Sequence, residues 1–150
     1  MPQNPPEGYT RINPYLYYED AAAAIDFITR AFGFTERFRM DGPDGKIAHA
    51  ELDYGGEVVM IGSPPSARSP KSLGGKNGSL YIYVDDVDAH CAHAKEAGAT
   101  ITSDLADQFY GDRHYAVEDP EGHEWYFTQR VRDVSEQEMA AAMEQASAAG

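Results

Sequence analysis

The chain has 150 residues, 42 % hydrophobic and 11 % aromatic, which suits one folded domain and not a disordered tail. Its formal charge of −13, with only 12 Lys and Arg scattered along it, leaves no basic stripe for nucleic acid and biases the surface toward cations. The single Cys91 excludes an internal disulfide and any multi-cysteine metal site. No basic-then-apolar leader precedes residue 10, and no run of roughly eighteen apolar residues occurs. The expectation is therefore a cytoplasmic protein with no membrane partner.

In chain order, residues 1–9 read as an N-terminal tail. Ile12-Asn13-Pro14-Tyr15-Leu16-Tyr17-Tyr18 then reads as a short aromatic strand. Glu19-Asp20 supplies an N-cap carboxylate for a helix over 21–32. Ile25, Ile28 and Phe32 share one face of that helix, and Gly33 closes it. Three strand-like runs follow over 35–40, 46–54 and 57–62. They are separated by Asp41-Gly42-Pro43-Asp44-Gly45 and by Gly55-Gly56, both turn signals. The segment 63–78, rich in Pro, Ser, Gly and Lys, reads as a linker or mobile loop.

The plan then repeats. Residues 79–84 form a strand, Asp85-Asp86 caps a helix over 87–97, and Val87, Cys91 and Ala94 make its apolar stripe, with Gly98 after it. Strand-like runs lie near 99–103, at 114–118 and at 124–129. Asp119-Pro120-Glu121-Gly122-His123 joins the last two. Cap and closing glycine recur about 65 residues apart, so each half is a βαβββ module and the structure is expected to be duplicated. Ser135 followed by Glu138 is a capping box, with Met139, Ala142, Met143 and Ala146 as a narrow apolar stripe. An Ala-rich helix this short needs docking, on this domain or on a second subunit.

Strand phase assigns faces. Leu16 and Tyr18, and likewise Leu80, Ile82 and Val84, point toward the helices. Asn13, Tyr15 and Tyr17, and likewise Ser79, Tyr81 and Tyr83, point away. Tyrosine walls a cavity and offers a hydroxyl to a ligand, or it forms cross-strand aromatic pairs on a plain sheet face. Trp125 and Phe127 are expected on the second helix, with Glu124 and Tyr126 facing the cleft.

His49 and Glu51 share a strand face, as half of a metal site, a general-base pair or a structural polar pair. His123 is expected to fix its turn, and His90 and His93 to face solvent. His114 stays open, and Cys91 reads as core. In the loop Gly111-Asp112-Arg113, Asp112 can pair with a cation, while Arg113 either grips a ligand carboxylate or pins the loop. Phe109-Tyr110 before it is a lid or an anchor.

Tyr15-Leu16-Tyr17-Tyr18-Glu19-Asp20-Ala21, Ala24-Ile25-Asp26-Phe27 and Ala31-Phe32-Gly33-Phe34 resemble the opening of glyoxalase/bleomycin-resistance (vicinal oxygen chelate) proteins. Val84-Asp85-Asp86-Val87-Asp88-Ala89 with Ala97-Gly98-Ala99 resembles the start of their second module. Tyr110-Gly111-Asp112-Arg113 and Asp119-Pro120-Glu121-Gly122-His123-Glu124-Trp125 resemble the closing signature of one subgroup.

The resemblance spans 10–132, with module one over 10–64, a linker over 65–77 and module two over 78–132. A helical tail over 133–150 follows. It implies an α+β fold: two βαβββ modules whose mixed sheets curve around a cleft, with helices on the outer face, commonly in a homodimer. Metal-dependent members place ligands at positions that fall here on Asn13, Met60, Ser79 and Tyr126. Amide, thioether, hydroxyl and phenol do not make a site for zinc, iron or manganese, so no metal and no cofactor are expected. The expected function is binding of an unidentified small molecule, an antibiotic or another aromatic or cationic ligand. Asn13, Tyr15, Tyr17, His49, Glu51, Met60, Tyr81, Tyr83, Phe109, Arg113 and Tyr126 are the expected contacts. The alternatives are a metal-dependent lyase, isomerase or dioxygenase using a displaced site at His49, Glu51 and His114, or a partner module with a filled cleft.

Overall fold

A computed structural model describes residues 1–149. The elements run β1 (Tyr15–Tyr17), α1 (Ala21–Phe32), β2 (Thr35–Asp41), β3 (Ile47–Tyr54), β4 (Glu57–Gly62) and α2 (Pro70–Leu73). They continue β5 (Ser79–Tyr83), α3 (Val87–Glu96), β6 (Thr100–Asp107), β7 (Asp112–Glu118), β8 (Glu124–Arg130) and α4 (Glu136–Ala149). Each module makes a four-stranded mixed sheet, in order β1-β4-β3-β2 and β5-β8-β7-β6. The first strand pairs parallel with the last, and the remaining pairs are antiparallel. The architecture is the expected α+β pair of βαβββ modules, and the described residues form no closed barrel.

Both helices start where their carboxylates allow. Asp20 accepts from the Ala23 amide and Asp86 from the Ala89 amide, each at 3.1 Å, satisfying N–H groups that the first turn leaves free. Gly33 then ends α1 at φ +80°, a conformation that a side chain would strain. The apolar stripe of α3 is Val87, Cys91 and Ala94, all buried.

On α1 burial extends beyond one stripe to Ala21, Ala24, Ile25, Phe27, Ile28, Ala31 and Phe32, because this helix meets both its own sheet and the second module. Phe32 packs on Trp125 and Phe127 of β8, with ring centroids 5.2 and 4.9 Å away. These three rings are fully buried, each worth about 1.5–3 kcal/mol in apolar transfer. One continuous core thus joins both helices to the helix-facing sides of both sheets.

Polar contacts lock the modules together. Asp119 is buried, yet its carboxylate accepts four donors: the Tyr18 hydroxyl, Trp125 Nε1 and the amides of Glu121 and His123. A buried carboxylate is tolerated when so fully bonded. His123 Nε2 donates to the Tyr17 carbonyl at 2.9 Å, so this histidine bridges modules as well as holding its turn.

His90 is a correction, because it is half-buried and not solvent-facing. Its Nε2 donates to the Phe32 carbonyl at 2.9 Å, leaving Nδ1 to accept the Tyr115 hydroxyl. Burial pulls its pKa below the ordinary value. α1 covers the side of α3 that a single-helix stripe leaves free. His93 stays exposed and donates to the Arg30 carbonyl.

The linker is tied down. Ser69 and Ser72 hydroxyls donate to the Glu19 carboxylate, and the Lys71 amide donates to the Glu121 carbonyl. The Ser72 and Ser69 bonds hold the Glu19 pKa down to about 2. β6 is longer than the weak run at 99–103. Its polar sequence hides a strand that bulges along β7 and half-buries only Ile101 and Leu105.

The capping box forms, with the Glu138 amide donating to Ser135 Oγ at 3.1 Å. The apolar stripe of α4 is only partly covered by the described chain: Met139 and Ala142 are half-buried and Met143 is exposed. Among the described residues, no helix is long and apolar enough to cross a membrane.

Candidate functional site

Register makes the two modules superposable residue by residue. Tyr15 lies beside Met60, as Tyr81 lies beside Tyr126; Tyr17 lies beside Gly62, as Tyr83 lies beside Thr128. Ala50 opposite Ile61 matches Tyr115 opposite Phe127, which makes His49 and His114 counterparts. Because side chains alternate along a strand, these pairs define one face on each sheet, turned away from the helices. The four first-strand tyrosines are 41 % (Tyr15), 52 % (Tyr17), 43 % (Tyr81) and 57 % (Tyr83) exposed, so both faces are open in the single chain.

Face one centres on Glu51, which is buried although its strand face is open. His49 Nε2 donates to its Oε2 at 2.9 Å, which leaves Nδ1 to accept the Tyr15 hydroxyl at 2.9 Å. The Tyr9 hydroxyl donates to Oε1 at 2.7 Å, and Arg37 Nε stands 3.5 Å from the same oxygen. Arg37 reaches in because the register slips between Glu36 and Phe38, a bulge that re-aims the guanidinium. Burial alone would raise the Glu51 pKa. The hydrogen bonds from Tyr9 and His49 and the Arg37 charge outweigh it and hold the carboxyl below its ordinary value.

Face two centres on Asp112, 3 % exposed. Its Oδ2 accepts the Tyr81 hydroxyl at 2.8 Å and the Tyr83 hydroxyl at 3.1 Å. Arg130 Nη1 stands 3.3 Å from Oδ1, close enough for ion pairing but without hydrogen-bond geometry. The same nitrogen donates to the Tyr110 carbonyl at 2.6 Å. Burial, with the Asp112 contact, raises the pKa of Tyr81 and Tyr83, which keeps these phenols protonated as donors.

His114, 7 % exposed, bonds the Tyr110 hydroxyl through Nε2, and its buried Nδ1 has no partner among the described residues. Burial lowers its pKa, favouring neutral imidazole. Tyr126 and Tyr81 stand edge-on to that ring at 5.3 and 6.0 Å.

Of the expected contacts, Tyr15, Tyr17, His49, Glu51 and Met60 gather on face one, and Tyr81, Tyr83 and Tyr126 on face two. Phe109 sits in the turn before β7, edge-on to Tyr110 at 5.2 Å. Asn13 precedes β1 and donates its amide to the Thr10 carbonyl at 2.8 Å. Arg113 lies on the opposite side. Strand alternation sends it toward α3, where it grips both oxygens of Asp88 (3.0 and 3.1 Å) and Asp107 Oδ1 (3.1 Å). It pins the start of β7 and does not lie on face two.

Sequence reasoning missed Tyr9, Arg37, Thr128 and Arg130, and it read Tyr110 and Asp112 as loop residues without placing them on a sheet face. A strand starting at Asp112, which puts 112 and 114 in phase, was the one available signal. Two grooves of about 640 and 420 Å³ flank the exposed edges of β1 and β5. Their sizes suit small ligands. Tyr15, Tyr17, Arg68 and His123 line the first, and Pro14, Phe34, Tyr54, Tyr81 and Tyr83 the second.

A divalent metal does not fit these residues. Asn13 is bonded to the chain, Met60 offers a thioether, Ser79 a hydroxyl and Tyr126 a phenol. Both nitrogens of His49 are engaged, and a guanidinium stands beside Glu51. Among the described residues, no three His, Cys, Asp or Glu side chains cluster, so His49, Glu51 and His114 do not assemble in one chain.

Residues 10–127 match the family model for the Glyoxalase/Bleomycin resistance protein/Dioxygenase superfamily. The chain belongs to this superfamily. An uncharacterized protein of Mycobacterium bovis is 43 % identical over 138 residues, covering 88 % of this chain and 91 % of the relative. The crystal structure of TioX from Micromonospora sp. ML1 superposes with a TM-score of 0.67 at 36 % identity, covering 81 % of this chain and 99 % of that one. A lactoylglutathione lyase of Neisseria meningitidis is 27 % identical over 111 residues, 71 % of this chain and 80 % of that protein.

Proposed function

We propose that this superfamily member binds a small planar aromatic or cationic molecule against its tyrosine-bearing sheet faces, without a resident metal, and so sequesters it. The observation that carries the reading is the chemistry of those faces. Each presents exposed tyrosine rings around a buried carboxylate, while Asn13, Met60, Ser79 and Tyr126 stand where metal ligands would be needed. Rings supply stacking area, phenols supply directed hydrogen bonds, and a net charge of −13 raises the local concentration of cations. Face two is the open site, since His114 Nδ1 is buried and unpartnered there.

A homodimer and a cytoplasmic location belong to the same proposal. Exposed Phe38 and Met40 on face one and Tyr83 on face two support the dimer, as aromatic and apolar area of this kind is commonly covered by a partner. The second reading, a metal-dependent lyase, draws support from the lactoylglutathione lyase of Neisseria meningitidis. The donor set opposes it.

Titration with proflavine, a planar aromatic cation, tests the binding reading. Saturable binding is expected, weakened about tenfold in Tyr81→Ala and in Tyr126→Ala. No saturable binding, or an affinity unchanged from the parent chain in both variants, would overturn it.

A further inference from the structure

The strand phase puts face one in the open, yet Glu51 at its centre is buried, and the cover comes from the chain itself. Residues 1–4 and 6–8 are exposed, and the segment then lays Tyr9 against the sheet. The Tyr9 hydroxyl donates to Glu51 Oε1 at 2.7 Å, and the Arg37 guanidinium lies 4.5 Å from the centre of the Tyr9 ring. Arg37 Nη1 also donates to the Gly8 carbonyl at 2.9 Å. The segment's other bonds are internal, from the Tyr9 amide to Pro6 and between Thr10 and Asn13. Tyr9 is thus held as a ligand is held: one charge-assisted hydrogen bond at its polar tip and one cation on its ring.

We infer that face one is a phenol-binding site closed by the chain's own Tyr9, and that a free phenol takes the same place when Tyr9 is withdrawn. The acceptor is prepared for this role. Glu51 is fixed by His49, which is fixed in turn by Tyr15, so the carboxylate keeps its aim without Tyr9. The bulge in β2 sets the Arg37 backbone, and the Gly8 carbonyl that holds its guanidinium does not depend on the Tyr9 side chain. The tyrosine Cβ is para to its hydroxyl and leads back out along residues 8–10, so para-substituted phenols fit and ortho-substituted ones crowd Glu51. This site is separate from the stacking proposed on face two, and its outcome does not depend on it.

The test is p-cresol, the free equivalent of the tyrosine side chain, titrated into the full chain while amide and Arg37 Nε resonances are followed. Tyr9→Ala is expected to bind p-cresol at least about tenfold more tightly than the unsubstituted chain, with Tyr9→Phe between them. Toluene, lacking the hydroxyl, is expected to bind Tyr9→Ala about tenfold more weakly than p-cresol does. Shifts are expected at Arg37, His49 and Glu51. Equal p-cresol affinity with and without Tyr9, equal affinity for toluene, or shifts centred on Tyr81 and Tyr126 would overturn the inference. So would absence of binding to a Tyr9→Ala chain whose circular dichroism is unchanged.

Discussion

On face one His49 commits both ring nitrogens to the chain, to Glu51 and Tyr15, whereas its counterpart on face two, His114, commits one, to Tyr110. The carboxylates differ in the same direction. Glu51 is closed over by a tyrosine from outside the module, while Asp112 is approached by two tyrosines of its own sheet. The two sheets share strand order and the register of their inner pairs, so topology does not explain the difference. It arises from a bulge that swings Arg37 onto face one and from a β7 that begins early enough to place Asp112 on face two. Duplicated folds keep their scaffold and vary the few side chains that the scaffold aims.

The largest expected effect is at Asp112. Asp112→Ala strips two phenols and Arg130 of their common partner and is expected to cost about 2–3 kcal/mol in urea denaturation. A cost under about 1 kcal/mol would mean that face two is not organised around this carboxylate.

A smaller, pH-dependent effect is expected at Glu51. Its carboxyl titrates below the ordinary 4.5 in the folded chain, so its ionised form favours folding. That contribution is fully present above 4.5 and is lost as pH falls through the lower folded value. The stability gap between the parent chain and Glu51→Gln is therefore expected to be constant near neutrality and to shrink in acid. Parallel pH curves would show that Tyr9, His49 and Arg37 do not hold the ionised carboxylate.

Much of the frame was readable in advance. The acidic caps, Gly33, the glycine turns and the alternation of Trp125 and Phe127 with Tyr126 are local signals, and each module needs little else. What escaped was non-local. Tyr9 and Glu51 are 42 positions apart, joined across an irregularity in β2 that no period reveals. His90 looked solvent-facing because the stripe on α3 reports one packing surface, and α1 supplies another. Asp112 and Arg113 read as loop because Gly111 precedes them. Once they begin a strand, alternation sends Asp112 to face two and Arg113 to the helices. The conserved plan of the two modules was legible, but the identity of the residues filling each face's centre depended on where strands start and slip.

The most direct test is elemental analysis with native mass spectrometry on protein purified without chelator or affinity-tag metal. The same spectrum reads whether the chain pairs with a second copy. Faces built from tyrosines, Asn13, Met60 and Ser79 predict less than about a tenth of an equivalent of zinc, iron, manganese or nickel per chain. About one equivalent per chain, lost in His49→Ala, would contradict the account and make a metal-dependent enzyme the better description.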